Sequence, residues 1–222
     1  MDVTNEQVRQ ALLSLVAFVL SVSVHEFGHA FVADRLGDTL PRAQGRVTLS
    51  PLRHIDLMGT IVIPLLSAFA VGAPLMAWGK PVQTNPSAMS KRFSPTVNHL
   101  LVSLAGPAMN LLFAAAVSVG LILVARTGHL SPEVAAYVVR FLIVLNITLL
   151  FFNLLPIPPL DGAAILMVLF PRSMAGVLNG LYRYGMFILL ILFASPIGSL
   201  LMRPATQLAG AWSRWVMGMV LQ

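Results

Sequence analysis

The 222-residue chain contains no cysteine. Disulfide frameworks and thiolate metal sites are therefore excluded, and any bound metal must be held by His, Asp or Glu. Charge is almost as scarce: 10% of residues are charged and 57% are hydrophobic, where a soluble domain carries about 25% charged residues. Such a chain lacks the polar surface needed to face water. Its charges fall in clusters separated by long uncharged stretches, the pattern of a membrane protein. Acidic groups are the scarcest, with 8 Asp+Glu against 14 Lys+Arg, and Asp161 is the only acidic residue after Glu133. The net charge of +6 sits in short connections between apolar runs. That placement suits topology and anionic headgroups, not nucleic acid. No internal repeat or low-complexity segment is visible. The N-terminal MDVTNEQVRQ mixes acidic and basic residues, which reads against a cleavable signal peptide. The length suits one domain, residues 1–222, with no appended soluble module.

About twenty apolar residues suffice for one membrane span, and five runs qualify: residues 11–33, 57–79, 100–125, 141–155 and 184–202. The second run differs from the others. Gly59, Pro64, Gly72 and Pro74 break or shorten a helix there. Arg35, Arg42, Arg46 and Arg53 precede it, and Lys80, Lys91 and Arg92 follow it. Positive flanks on both sides belong on the same, cytoplasmic, face, so the run is expected to be a re-entrant hairpin. The fold class expected is an all-α polytopic membrane protein with about four transmembrane helices and one such hairpin. The stretches 42–49 and 80–84 suit short surface strands. The tail, 203–222, with Trp212, Arg214 and Trp215, is too short and polar to span and reads as an interfacial amphipathic segment.

The strongest chemical signal is His25-Glu26-Phe27-Gly28-His29. On a helix, residues i and i+4 share one face, so both imidazoles can reach one metal and the Glu can take a proton from a water beside it. Ionisable groups near the end of a transmembrane run are functional by default. Read blandly, they would be three polar residues snorkelling to water. A catalytic zinc takes three protein ligands and keeps one open position. Asp161 is the best remaining candidate for the third, behind Asn153-Leu154-Leu155-Pro156-Ile157-Pro158-Pro159-Leu160. The prolines prevent a continuous helix, and irregular backbone at membrane depth occurs where it lines a cavity or is buried in protein. Taken alone, Asp161 reads equally well as a helix N-cap before Gly162.

Together these elements resemble the site-2 protease family of intramembrane metalloproteases, in a compact form without PDZ domain. The family's N-x-x-P-x-P-x-x-D-G element is matched at every fixed position from Asn153 to Gly162, and Ser103–Asn110 (SLAGPAMN) resembles its small-residue core helix. The resemblance implies a catalytic core over about 11–170 that hydrolyses peptide bonds of transmembrane protein substrates in the lipid bilayer. It also implies one Zn2+ on His25, His29 and Asp161, with Glu26 as general base. Asn153 falls where the family has an Asn that positions substrate or oxyanion; an interhelical hydrogen bond is the equal alternative. Two rival functions have different signatures. Membrane zinc proteases that take a later Glu as third ligand would need one after Glu133, which the sequence lacks. A transporter with broken helices would show an inverted repeat.

Other polar residues read more plainly. Asn146 serves packing, His54 and Asp56 form an interfacial turn in preference to a pair behind the metal ligands, and His99 is a histidine at headgroup level in preference to an orienter of a ligand. Gly106, Ala108 and Ala114–Ala116 allow close helix contact. Crossing parity supports the hairpin. The His-Glu motif ends the first run and Asp161 follows the fourth, so those runs must be parallel, with one crossing between them. The arginines after His29 then place the active site near the cytoplasmic face.

Overall fold

In the computed structural model, residues 5–71, 77–170 and 175–222 are described. The first element, α1 (Asn5–Arg35), is a 31-residue helix of about 46 Å. That exceeds the roughly 30 Å hydrocarbon thickness, which leaves Glu6 and Arg9 at one end and Asp34 and Arg35 at the other for the headgroups. A short α2 (Leu40–Ala43), a 3₁₀ turn at Pro51–Arg53 and a π-helical turn at Leu57–Val62 lead into α3 (Ile63–Val71). After an extended return the long α4 (Pro95–Ala125) begins, N-capped by Ser94 and containing Pro107. Next come α5 (Pro132–Val138), π-helical residues Val139–Val144 and α6 (Leu145–Asn153), which together make one apolar rod. The chain ends with α7 (Ala163–Leu169), α8 (Ala175–Ala194), α9 (Pro196–Leu201) and α10 (Arg203–Val220).

Among the described residues, four helices are long and apolar enough to span: Asn5–Arg35, Pro95–Ala125, Pro132–Asn153 and Gly176–Ala194. Their outward faces are apolar, with Phe187 64% and Ile191 71% exposed, a surface suited to lipid. The expected run 57–79 is not among the spans. Its described part forms the π turn and α3, while residues 72–76, with Gly72 and Pro74, lie outside the described residues. Its two feet are tied together. Trp78 N donates to Gly59 O (3.0 Å), Thr60 Oγ1 to Trp78 O (2.7 Å) and Lys80 N to His54 O (2.8 Å). Where Leu36 leaves α1, its carbonyl accepts from Ser90 N at 2.6 Å, so both ends of the long connection return to the same end of the bundle.

Several expectations need correction. Among the described residues there is no strand: 42–49 is a helix end and turns, and 80–84 is extended without a ladder. Residues 44 and 83 meet only through their side-chain amides, at 2.8 Å. The span expected at 141–155 starts nine residues earlier, at Pro132. Glu133 and Arg140 therefore lie on it, Glu133 in the first helical turn behind the Ser131 cap. The run 184–202 divides at Ser195, which caps α9 before Pro196.

The amphipathic tail is the helix α10, but its apolar face is occupied by protein. Ala205, Ala209 and Val216 are buried, and Trp212 Nε1 donates to Ser118 Oγ of α4 at 3.0 Å. Ala209 and Val216 join Ala114, Leu121, Ile122, Ala135, Val139, Ile143 and Ile147 in the main apolar cluster.

Candidate metal centre

Close approach of α1 and α4 builds the centre. Gly28 lies so near α4 that a Cβ there would stand 2.6 Å from Ala105 O. Gly106 faces the two histidines, and a Cβ on it would stand 2.4 Å from His29 Nε2 and 2.6 Å from His25 Cε1. Only glycine leaves room for both rings. The third partner arrives from the proline-rich turn after α6. Gly162 N bonds Asn153 O at 2.6 Å and closes that turn, and a Cβ on Gly162 would strike Leu154 O at 2.3 Å. From α8, Gly185 backs the turn so closely that a Cβ would meet Pro158 O at 2.0 Å.

His25, His29 and Asp161 are thereby brought together as the chain's candidate metal-holding group among the described residues. The edges of the triangle are 3.1 Å (His25 Nε2 to His29 Nε2), 3.1 Å (His25 Nε2 to Asp161 Oδ2) and 3.4 Å (His29 Nε2 to Asp161 Oδ2). Ligand atoms on a tetrahedral zinc with bonds of about 2.0–2.1 Å stand about 3.3 Å apart. Both histidines are buried. His29 Nδ1 lies 2.7 Å from Val102 O. A carbonyl can only accept, so Nδ1 carries a proton, and in the neutral imidazole Nε2 is then a lone pair. His25 Nδ1 lies 2.6 Å from Asn110 Oδ1, which leaves its Nε2 bare in the same way. Asp161 Oδ2 is sealed from solvent with no hydrogen-bond donor. With both imidazoles neutral, two lone pairs and a carboxylate oxygen converge, an arrangement that needs a metal ion or a proton between them. The donor set fits one zinc.

Asp161 does not act as a cap. Gly162 precedes α7 and no side chain caps that helix; the carboxylate turns to the histidines. Glu26 lies beside the triangle, within electrostatic reach of His29, and its Oε2 accepts from Val82 N at 3.1 Å. The extended return 77–84 is one wall of the site. Asn153 donates through Nδ2 to Leu149 O of its own helix at 3.0 Å, which uses one of its two amide hydrogens.

A profile of peptidase family M50 matches residues 13–131 and 119–192, most of the chain. The chain belongs to peptidase family M50. Its relatives agree. A protein of Bacillus subtilis named "putative zinc metalloprotease YwhC" is 34% identical over 197 residues, covering 86% of this chain and 84% of the relative. Proteins named "putative zinc metalloprotease Rip2" are 34% identical over 188 residues in Mycobacterium tuberculosis (83% of this chain, 68% of the relative) and 30% identical over 226 residues in Mycolicibacterium smegmatis (92% and 82%). No solved structure matches. Membership of M50 makes the chain a metallopeptidase of the site-2 protease kind, with helices apolar enough to place it in a membrane.

Around this M50 site the remaining histidines and acids divide. Asp56 makes the turn expected of it, accepting from Gly59 N at 2.7 Å. His54 is buried: Nε2–H donates to Thr48 O at 2.8 Å, and Nδ1 is sealed without a partner. Burial pushes the His54 imidazole below its ordinary pKa, which keeps it neutral. His99 is half-buried on α4, within electrostatic reach of Asp161 and His29. Arg46 was read only as a positive flank. It is 4% exposed and donates to the carbonyls of Arg53 and Lys80, pinning the wall segment to the turn before the hairpin. Nothing in the local sequence distinguishes it from the exposed Arg42, which pairs with Asp34 at 2.6 Å.

Proposed function

We propose that the chain hydrolyses peptide bonds of membrane-spanning proteins, with zinc held by His25, His29 and Asp161 and with Glu26 as general base. The observation that carries the reading is the convergence of His25 Nε2, His29 Nε2 and Asp161 Oδ2 at 3.1–3.4 Å. Bound there, zinc supplies Lewis-acid polarisation of the scissile carbonyl and acidifies water. Glu26 takes a proton from the attacking water and delivers it to the leaving amide nitrogen. Its present partner, Val82 N–H, holds the carboxylate in place without protonating it. Asn153 is the proposed donor to substrate or oxyanion, through the Nδ2 hydrogen that Leu149 O does not take. The irregular turn 154–161 supplies a route for water, and a substrate helix must unwind locally, because helical carbonyls are hydrogen-bonded and shielded.

The reading includes a topology. Residues 57–79 re-enter the membrane and return on the side they left, a course supported by the paired feet at Gly59–Trp78 and His54–Lys80. The basic cluster at that end, Arg35, Arg42, Arg46, Arg53, Lys80, Lys91 and Arg92, supports a cytoplasmic location for the active site. Residues 1–222 act as one membrane-embedded unit, with the catalytic core at about 11–170.

Metal content and cleavage of a transmembrane peptide in detergent test the assignment. Glu26→Gln is expected to keep its zinc and lose cleavage by about 10²–10⁴-fold, whereas Asp161→Ala loses both. An Asp161→Ala protein with full zinc and activity would remove the third ligand from this reading.

A further inference from the structure

Behind His25 lies a hydrogen-bond chain that the reaction itself does not use. Asn110 of α4 accepts from His25 Nδ1 at 2.6 Å through Oδ1, and its Nδ2 donates to Asn146 Oδ1 at 2.7 Å and to Ser21 O at 3.4 Å. Asn146 of α6 in turn donates through Nδ2 to Leu142 O at 2.7 Å and to Ser21 Oγ at 2.8 Å. Ser21, one turn before His25 on α1, donates its hydroxyl proton to Ala17 O at 2.7 Å. Ser21, Asn110 and Asn146 are each 0% exposed.

The chain has a direction, and main-chain carbonyls set it. Leu142 O and Ser21 O can only accept, so the NH₂ groups of both amides must face them. Each amide oxygen is then left facing the next donor inward, and the last donor is His25 Nδ1. Every amide hydrogen and both amide oxygens are used. If Asn110 were flipped, its NH₂ would face His25, draw the bare lone pair to Nδ1 and put the proton on Nε2, where the metal must sit. Opposing that flip is mainly the 2.7 Å bond to Asn146, since the bond to Ser21 O is long.

We infer that Asn146, anchored on Leu142 O and Ser21, is a positioning residue for the metal: through Asn110 it holds His25 in the tautomer whose Nε2 lone pair faces the metal. This rests on the metal site proposed above. It also revises the packing role expected of Asn146, because its hydrogen bonds connect α1, α4 and α6 at the ligand itself. Partners behind a metal-bound histidine are worth about 10–100-fold in metal affinity.

The test compares Asn146→Leu and Asn146→Asp, which have nearly the same shape as the native residue. Aspartate keeps an acceptor for Asn110 and, in its neutral form, a donor for Leu142 O; leucine keeps neither. Zinc affinity is measured by chelator competition on the detergent-solubilised full chain, with the thermal midpoint of the metal-free protein as the folding control. The ring-nitrogen ¹⁵N shifts of His25 in metal-free protein report the tautomer directly. Expected are an Nδ1–H tautomer in wild type, a mixture and zinc binding about 10–100-fold weaker in Asn146→Leu, and recovery of most of that loss in Asn146→Asp. Equal losses in both variants, or none in Asn146→Leu, would overturn the inference and leave Asn146 a packing residue. If neither variant folds, the wild-type spectrum decides, and a His25 whose Nδ1 carries no proton there refutes it. Wild type that binds no zinc at all would instead sink the metal site and this inference with it.

Discussion

The two ends of α4 teach different things. From Asn98 to Asn110 the buried Asn98, Ser103, Gly106 and Asn110 interrupt its apolar face, and Gly106 and Asn110 lie against His25 and His29. From Ala114 to Ile122 the same helix contributes Ala114, Leu121 and Ile122 to an apolar cluster closed by α10. In a bilayer, apolar contacts gain little from burial alone, because lipid tails are as apolar as leucine, so packing, hydrogen bonds and close backbone approach carry helix association. The first half therefore spends its tight contacts on orienting ligands, and the second on shape fit. Each half should fail differently when broken.

The largest effect is expected from Gly106→Ala, whose added methyl meets both imidazoles. Zinc affinity should fall at least about 100-fold, while the thermal midpoint of metal-free protein moves little; full zinc binding by the variant would refute the close approach. Next is Leu121→Ala in the apolar half. It should lower stability in detergent by about 2 kcal/mol, the low end for a buried leucine, and leave zinc stoichiometry at one. A loss of zinc there would erase the distinction between the halves. The smallest is Trp212→Phe, which removes the 3.0 Å bond to Ser118 and should cost about 1 kcal/mol in the same assay. No change at all would mean that α10 rests on the bundle by shape alone.

How far each half could be read from sequence follows the same division. The candidate ligands were legible because a helix places i and i+4 on one face, and because Asp161 is the only acid after Glu133. Gly106 and Asn110 were visible as part of a small-residue stretch, though not as neighbours of imidazoles. Asn146 was legible only as a polar residue in an apolar run: that it faces Asn110, 36 residues away, depends on how α6 crosses α4. Arg46 and His54 are similar, since their partners are main-chain carbonyls that carry no sequence signal. The apolar run taken as 141–155 began too late, because Glu133 and Arg140 interrupt the apolar pattern, whereas they lie on a rod with a π-helical segment. The tail's pattern is the same whether lipid headgroups or protein cover its apolar face, so sequence could not choose between them.

By itself, then, the sequence determined the membrane setting, the three candidate ligands and the candidate base, and the break in the chain before Asp161. Those properties are local: they depend on residue type, helical period and proline. Only the tertiary structure decided which nitrogen of each histidine is left bare, what orients it, and that α10 packs into the bundle. Hydrogen-bond direction and helix docking are relations between residues 36 to 125 positions apart, and no single stretch of chain encodes them.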